Sequence, residues 1–246
     1  MSKIVKRTLD FFELFAREKR PLSLSDISSL LSIPLSSCHD VLQALLDRGF
    51  IHEVAPRAGY YPTLRMYNVV KVIAENDPIF SRAEHLLRGL RDTFDESVLL
   101  AKVSGLDGTY LLVFETSHPL RFQVQVGNKI NRLHATSAGN AILGSLSDTE
   151  LDDVLAKLDL TPLTPKTITS KSALRDKIAQ GRRAGFYLNM GESIDDLMAI
   201  TAPFTWMQSL YLVTVVAPTA RLESRIEYAA LKLLEVCRKL EMKPVR

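Results

Sequence analysis

Ser36, Ser37, His39, Asp40, Gln43 and Asp47 are what remains of the stretch 35–47 once its regularly spaced apolar residues, Cys38, Val41, Leu42 and Leu45, are set aside. Hydroxyl and carboxamide side chains both donate and accept hydrogen bonds, which is what reading base-pair edges in a DNA major groove requires. Cations that could meet phosphates stand at Lys3, Lys6 and Arg7, and again at Arg57 within Pro56-Arg57-Ala58-Gly59. Asp40 falls in the middle of the polar set. A carboxylate there repels phosphate, although it can accept from a cytosine amino group.

Other chemistry finds little support. The five histidines, at 39, 52, 85, 118 and 134, never come within four residues of one another, so no metal-ligand spacing exists. Cys38 and Cys237 are far apart and read as small buried hydrophobes. Cys38 and His39 are adjacent, but neighbours on a helix point about 100° apart, so they do not form a nucleophile and base. Glu192, Asp195 and Asp196 form an acidic group with no base or metal partner. No catalytic residue, metal or cofactor is expected.

The chain has 246 residues, 46 % of them hydrophobic, enough for one or two packed domains. Its net charge of +3 permits nucleic acid as a partner without arguing for it. Residues 1–65 hold nine Lys and Arg against seven Asp and Glu, a surplus of two. Apolar runs stop well short of the ~18 residues a membrane span needs, and the start, MSKIVKRTLDFFELF, lacks a signal-type apolar block. A cytoplasmic protein without a membrane partner is expected.

Three short helices must position the polar set. Val5, Thr8, Leu9, Phe12 and Phe15 give the first an apolar stripe. Ser23 with Asp26 three residues on is capping-box spacing for a second, which buries Ile27, Leu30 and Leu31. Pro34 opens a third, and Gly49 stops it. The strand-like runs 50–54 and 60–62 flank the Arg57 turn as a hairpin, so residues 1–64 form a winged helix-turn-helix. Residues 65–77 form a linker helix. Residues 78–246 form a mixed α/β domain, with strands expected at 97–103, 109–116, 120–126, 185–189, 197–203 and 210–216. Helices are expected there from Pro78 and at 134–147, 148–157, 171–184 and 220–240. The fold class is α+β, the second domain curling its sheet around a pocket in the manner of a GAF domain.

Five segments, in order, resemble the IclR family of transcriptional regulators. The front half carries Arg7-Thr8-Leu9-Asp10, Pro21 to Ile27, Ile33 to His39 and Leu46 to Ile51, similar to that family's DNA-binding domain. Further on, Leu133-His134-Ala135-Thr136-Ser137-Ala138-Gly139-Asn140-Ala141 resembles its LHATALGKA segment. Leu163 to Thr169 resembles its LTPRTIT loop, Ile200 to Phe204 its IAAPV strand, and Ala217 to Leu222 its GPxxRL corner.

The resemblance implies a homodimer or dimer of dimers on palindromic double-stranded operator DNA, with a small organic effector bound behind. It also implies effector contacts at Ser137 and Ala138 on the helix start and at Asn189, Ala199, Thr214 and Val216 on strands. Leu120 and Phe122 would form an apolar wall. The family often places an Asp, a Cys and two Ser around the ligand. Asn189, Ala199, Thr214 and Val216 instead make a less acidic, more apolar pocket, so an acid with an aromatic or apolar body is expected over a two-carbon oxo acid. Each position also has an ordinary structural use as a cap, turn or packing residue. Leu35 and Asp40 replace basic residues common in the family's DNA domain. The alternative is a small-molecule sensor acting through protein partners without specific DNA binding.

Overall fold

Bulky side chains decide how the front of the chain folds. The computed structural model describes residues 3–56 and 58–242, which divide into two compact units at Pro78/Ile79. In the first unit, α1 (Lys3–Glu18), α2 (Leu24–Leu31) and α3 (Leu35–Asp47) surround a core of Phe11, Leu14, Phe15, Leu22, Ile27, Cys38, Val41, Leu42, Leu45 and Ile51. The Ser23–Asp26 capping box is present: the Ser23 hydroxyl accepts from the Asp26 amide at 3.1 Å, and Asp26 accepts from the Ser23 amide at 2.9 Å. The Ser23 amide and the Ser23 hydroxyl, both donating to the Asp26 carboxylate, hold its pKa below the ordinary value. The α1 stripe differs from expectation. Phe11, Leu14 and Phe15 are buried, whereas Val5 and Leu9 are exposed with Ile4. Two stripes overlap on this helix, and the one carrying Phe11 and Leu14 fills the core. On α2 only Ile27 of the expected trio is buried; Leu31 is half-buried and Leu30 exposed.

Strands β1 (Ile51–Glu53) and β2 (Tyr60–Pro62) pair antiparallel, and Leu22 joins them by exchanging two backbone bonds with Tyr60. Gly59 (φ +95°) makes that approach possible: a Cβ there would stand 2.8 Å from the Leu22 carbonyl carbon. Helix α4 (Arg65–Glu75) follows and buries none of its residues.

The second unit is built on period-two alternation. Strands β3 (Ser97–Ser104), β4 (Asp107–Phe114), β5 (Tyr187–Met190), β6 (Leu197–Trp206) and β7 (Ser209–Pro218) form one antiparallel sheet in the order β4-β3-β7-β6-β5. Val98 and Leu100, Met198, Ile200, Ala202 and Phe204, and Tyr211, Val213, Val215 and Ala217 share one face. They pack there with α5 (Pro78–Phe94) and α10 (Ile226–Glu241). The opposite face presents Ala101, Val103 and Leu212 to α6 (Ser137–Gly144). Beyond it, α7 (Asp148–Lys157) and α8 (Lys171–Ala184) bury Leu151, Leu155, Leu174 and Ile178 together with Leu143 of α6. A short helix α9 (Thr219–Leu222) and a 3₁₀ turn lead from β7 into α10.

The strand expected at 120–126 does not form. The chain beside β4 pairs only at 127–130, where Gly127 donates to the Tyr110 carbonyl at 2.8 Å and Ile130 to that of Gly108 at 2.8 Å. The alternation at 120–126 has another cause: Phe122 and Val124 line a cavity, whereas Leu120 and Val126 are exposed.

Candidate functional site

On α3, Ser36, His39, Asp40, Gln43 and Asp47 are exposed and Ser37 is half-buried, with Cys38, Val41, Leu42 and Leu45 facing the core. Ser36, His39 and Gln43 recur at three- and four-residue intervals and share a face. Gln43 donates to Asp47 at 2.8 Å, which orients its carboxamide along the helix. Pro34, at the start of α3, makes no side-chain cap hydrogen bond to the first amides of the helix. On α1, Lys3 is exposed, Lys6 pairs with Asp10 at 3.0 Å, and Arg7 is half-buried. Burial pushes the Cys38 thiol pKa up, partly offset by a Ser28 hydrogen bond and by the charge of Arg7. Arg57 lies outside the described residues.

The second unit holds a cavity of about 520 Å³ against the α6 face of the sheet. Strand register explains which residues meet there. Leu99, Thr214 and Thr201 lie in one row across β3, β7 and β6, and Val216, Ala199 and Asn189 lie in the next row across β7, β6 and β5. Phe122, Ser137, Ala138, Asn189, Ala199, Thr214 and Val216 all line the cavity. Leu120 does not. It is 72 % exposed, and its carbonyl accepts a hydrogen bond from Arg221 at 3.1 Å. Sequence reasoning missed Leu99, Tyr110, Val124, Thr136, Ser193, Ile194 and Leu197, and the whole run from Asn128 to Arg132. Leu99 could have been found from its period-two relation to Ala101 and Val103. The run 128–132 has no periodicity to read.

Thr136 caps α6 by accepting from the Gly139 amide at 3.0 Å. At the cavity wall, the Ser137 and Thr214 hydroxyls each lie 2.8 Å from that of Thr201, which stands behind them. Three hydroxyls joined by two bonds leave one proton uncommitted. Asn189 is consumed by structure: its amide nitrogen donates to the Ala135 carbonyl and to Ser193 Oγ, and its oxygen accepts from the Gly191 amide at 3.0 Å. Burial pushes the Tyr110 phenol up to about 12, so it is neutral at physiological pH. Thr201→Val is expected to lower stability by about 1–2 kcal/mol, because Ser137 and Thr214 lose their shared partner while buried. Thr201→Ser, which keeps the hydroxyl, is expected to lose less than half of that in a urea unfolding series.

A helix-turn-helix with a small wing, followed by a sheet domain that encloses a ligand-sized cavity, defines a DNA-binding transcriptional regulator with a sensor domain. Family comparison agrees in both parts: residues 4–55 match the IclR helix-turn-helix domain, and residues 71–242 match the bacterial transcriptional regulator IclR C-terminal domain. The chain belongs to the IclR family. It is 24 % identical over 227 residues to the HTH-type transcriptional regulator XynR of Escherichia coli K12, covering 92 % of this chain and 89 % of that one. The crystal structure of Thermotoga maritima IclR superposes with a TM-score of 0.78 at 20 % identity, covering 96 % of each chain. An IclR homologue from Microbacterium hydrocarbonoxydans, crystallised with 4-hydroxybenzoate, superposes with a TM-score of 0.72 at 20 % identity and covers 97 % of this chain and 98 % of its own. These relatives are regulators, not enzymes. Among the described residues no helix is long and apolar enough to cross a membrane, and no cluster of His, Cys, Asp or Glu is placed to hold a metal.

Proposed function

We propose that the protein is a cytoplasmic, homodimeric regulator that reads specific operator DNA through α3 and releases or grips it according to a small organic acid held in the second unit. The acid has an aromatic or apolar body. The observation that carries this is the cavity: Leu99, Phe122, Val124, Ile130 and Val216 supply apolar wall, and a few hydroxyls supply direction. A two-carbon oxo acid would leave most of about 520 Å³ unfilled. The homologue that holds 4-hydroxybenzoate supports a ring-bearing acid. A thermal-shift comparison of benzoate-type acids with pyruvate and glyoxylate tests it; stronger stabilisation by the oxo acids counts against it.

For DNA, Ser36, Ser37, His39 and Gln43 are the base-reading residues, and Lys3, Lys6, Arg7 and Arg57 the phosphate contacts. Gln43→Ala is expected to weaken operator binding by about 1–3 kcal/mol while sparing non-specific binding. Lys3→Gln is expected to weaken all sequences alike and to flatten the salt slope by about one. Fluorescence anisotropy with fragments of the upstream DNA at two salt concentrations separates these effects. Asp40, exposed within the reading face, favours the alternative of a sensor working through protein partners. A shallow salt slope without sequence preference would support that alternative.

A second copy of the chain is the partner that fits the uncovered apolar side chains of the first unit, Ile4, Val5 and Leu9 on α1 and Tyr67, Val70 and Ile73 on α4. Light scattering tests the dimer; a monomer at micromolar concentration overturns it. Dimers of dimers would show in the same measurement.

A further inference from the structure

Charge in the cavity is confined to one segment. Among the described residues that line it, only Lys129 and Arg132 are charged, and no aspartate or glutamate is among them. Both are exposed, as are their neighbours Asn128 and Asn131, so this segment forms the solvent-facing side. Ser137, Ala138, Thr214 and Val216 are buried and form the inner wall. We propose that the ligand's acid group is held on the solvent-facing side by Arg132 and Lys129, with its body turned inward and an uncharged polar substituent meeting the Ser137–Thr201–Thr214 hydroxyls. This rests on the reading of the ligand as an organic acid and assigns its orientation.

Three observations converge. First, neither cation has a side-chain hydrogen bond or ion pair among the described residues, whereas Arg182 and Arg221 of the same unit are both engaged with carboxylates. A carboxylate would be the first anion either of them meets, and the Arg132 guanidinium can grip it with two parallel N–H donors. Second, the side chains of the inner wall offer only the neutral hydroxyls of Ser137 and Thr214, with no charged group among them. A carboxylate sunk there would lose its water without gaining a counter-charge. Third, Arg132 occupies the left-handed region at φ +57°, where a residue with a Cβ is disfavoured and glycine is not. The turn is closed by the Ala135 amide donating to the Arg132 carbonyl at 2.9 Å, which fixes where the side chain begins. A long cation stands at a backbone position suited to glycine, and such strain concentrates at ligand sites.

The test is calorimetric titration of the full chain with benzoate, phenylacetate and 3-hydroxybenzoate, each beside its primary amide. Wild type is expected to bind at least one acid about tenfold more tightly than its amide, with the preference falling as salt rises. The Lys129→Gln/Arg132→Gln double variant alters exposed side chains only and is expected to keep its urea midpoint. It is expected to lose about tenfold in affinity for the acid and none for the amide. If the double variant keeps the acid preference, the carboxylate lies against the inner wall and this orientation is wrong, while the organic-acid reading stands. If wild type prefers no acid over its amide, that reading falls and the orientation falls with it.

Discussion

Replacing Arg221 with Leu is expected to lower the stability of the protein by about 3 kcal/mol, a loss of more than a hundredfold in the folding equilibrium. Glu96 is buried, and Arg221 from the corner after β7 grips both of its oxygens, one contact measuring 2.9 Å. The Glu96 hydrogen bonds hold the guanidinium pKa above its ordinary value, so it stays charged throughout the accessible pH range. Removing the cation strands a carboxylate that water reaches poorly, at a typical cost of about 3–5 kcal/mol. The lower end applies because the Arg221 side chain is 30 % exposed, which lets some water in after truncation. Replacing both partners with leucine is expected to recover most of the loss, since no charge is then left buried. Urea transitions of the single and double variants measure this. A single variant within about 0.5 kcal/mol of wild type would mean the pair is solvated and contributes little.

Gly139→Ala is the second large effect, and here two magnitudes oppose each other. Alanine in a helix is ordinarily favoured over glycine by about 1 kcal/mol. At Gly139 the added Cβ would stand 2.5 Å from the Leu133 Cα, 2.6 Å from the Leu133 carbonyl oxygen and 2.7 Å from Thr136 Oγ1. The backbone atoms cannot rotate away, and Asn140 holds the same Leu133 carbonyl at 2.9 Å. The overpacking cost of about 3 kcal/mol therefore exceeds the propensity gain, for a net loss of about 2 kcal/mol. The first turn of α6 would shift, taking Ser137 and Ala138 with it, so ligand stabilisation in thermal melts should vanish. Gly89 on α5 is the control. Its added Cβ meets nothing within 4 Å, and Gly89→Ala is expected to stabilise by up to about 1 kcal/mol. Equal behaviour of the two variants would show that the close approach at Gly139 is relieved at little cost.

Much of this architecture was legible because local rules and global packing agree. The Ser23–Asp26 spacing announced a capping box that forms, and α7 and α8 span the residues their periodicity indicated. The alternation in β6 and β7 shows which strand residues share a face, but only the register shows that Thr201 and Thr214 stand side by side. Where reading failed, two patterns competed or none existed. On α1 two apolar stripes overlap, and the sequence does not say which one the other helices cover. At 120–126 an alternating run suggested a strand, but ladder pairing depends on a distant partner, and β4 pairs with 127–130 instead. Lys129 and Arg132 belong to an irregular connection whose path is set by tertiary contacts, so no spacing rule could place them beside Ser137.

The linked hydroxyls of Ser137, Thr201 and Thr214 have a consequence for selectivity. Their spare hydrogen can emerge at either end of the series by rotation about C–O bonds alone, with every heavy atom at rest. The wall therefore greets an incoming ketone with a donor and an incoming alcohol or phenol with a lone pair, equally well. Any discrimination between oxidised and reduced versions of one ligand would therefore have to come from other residues of the cavity.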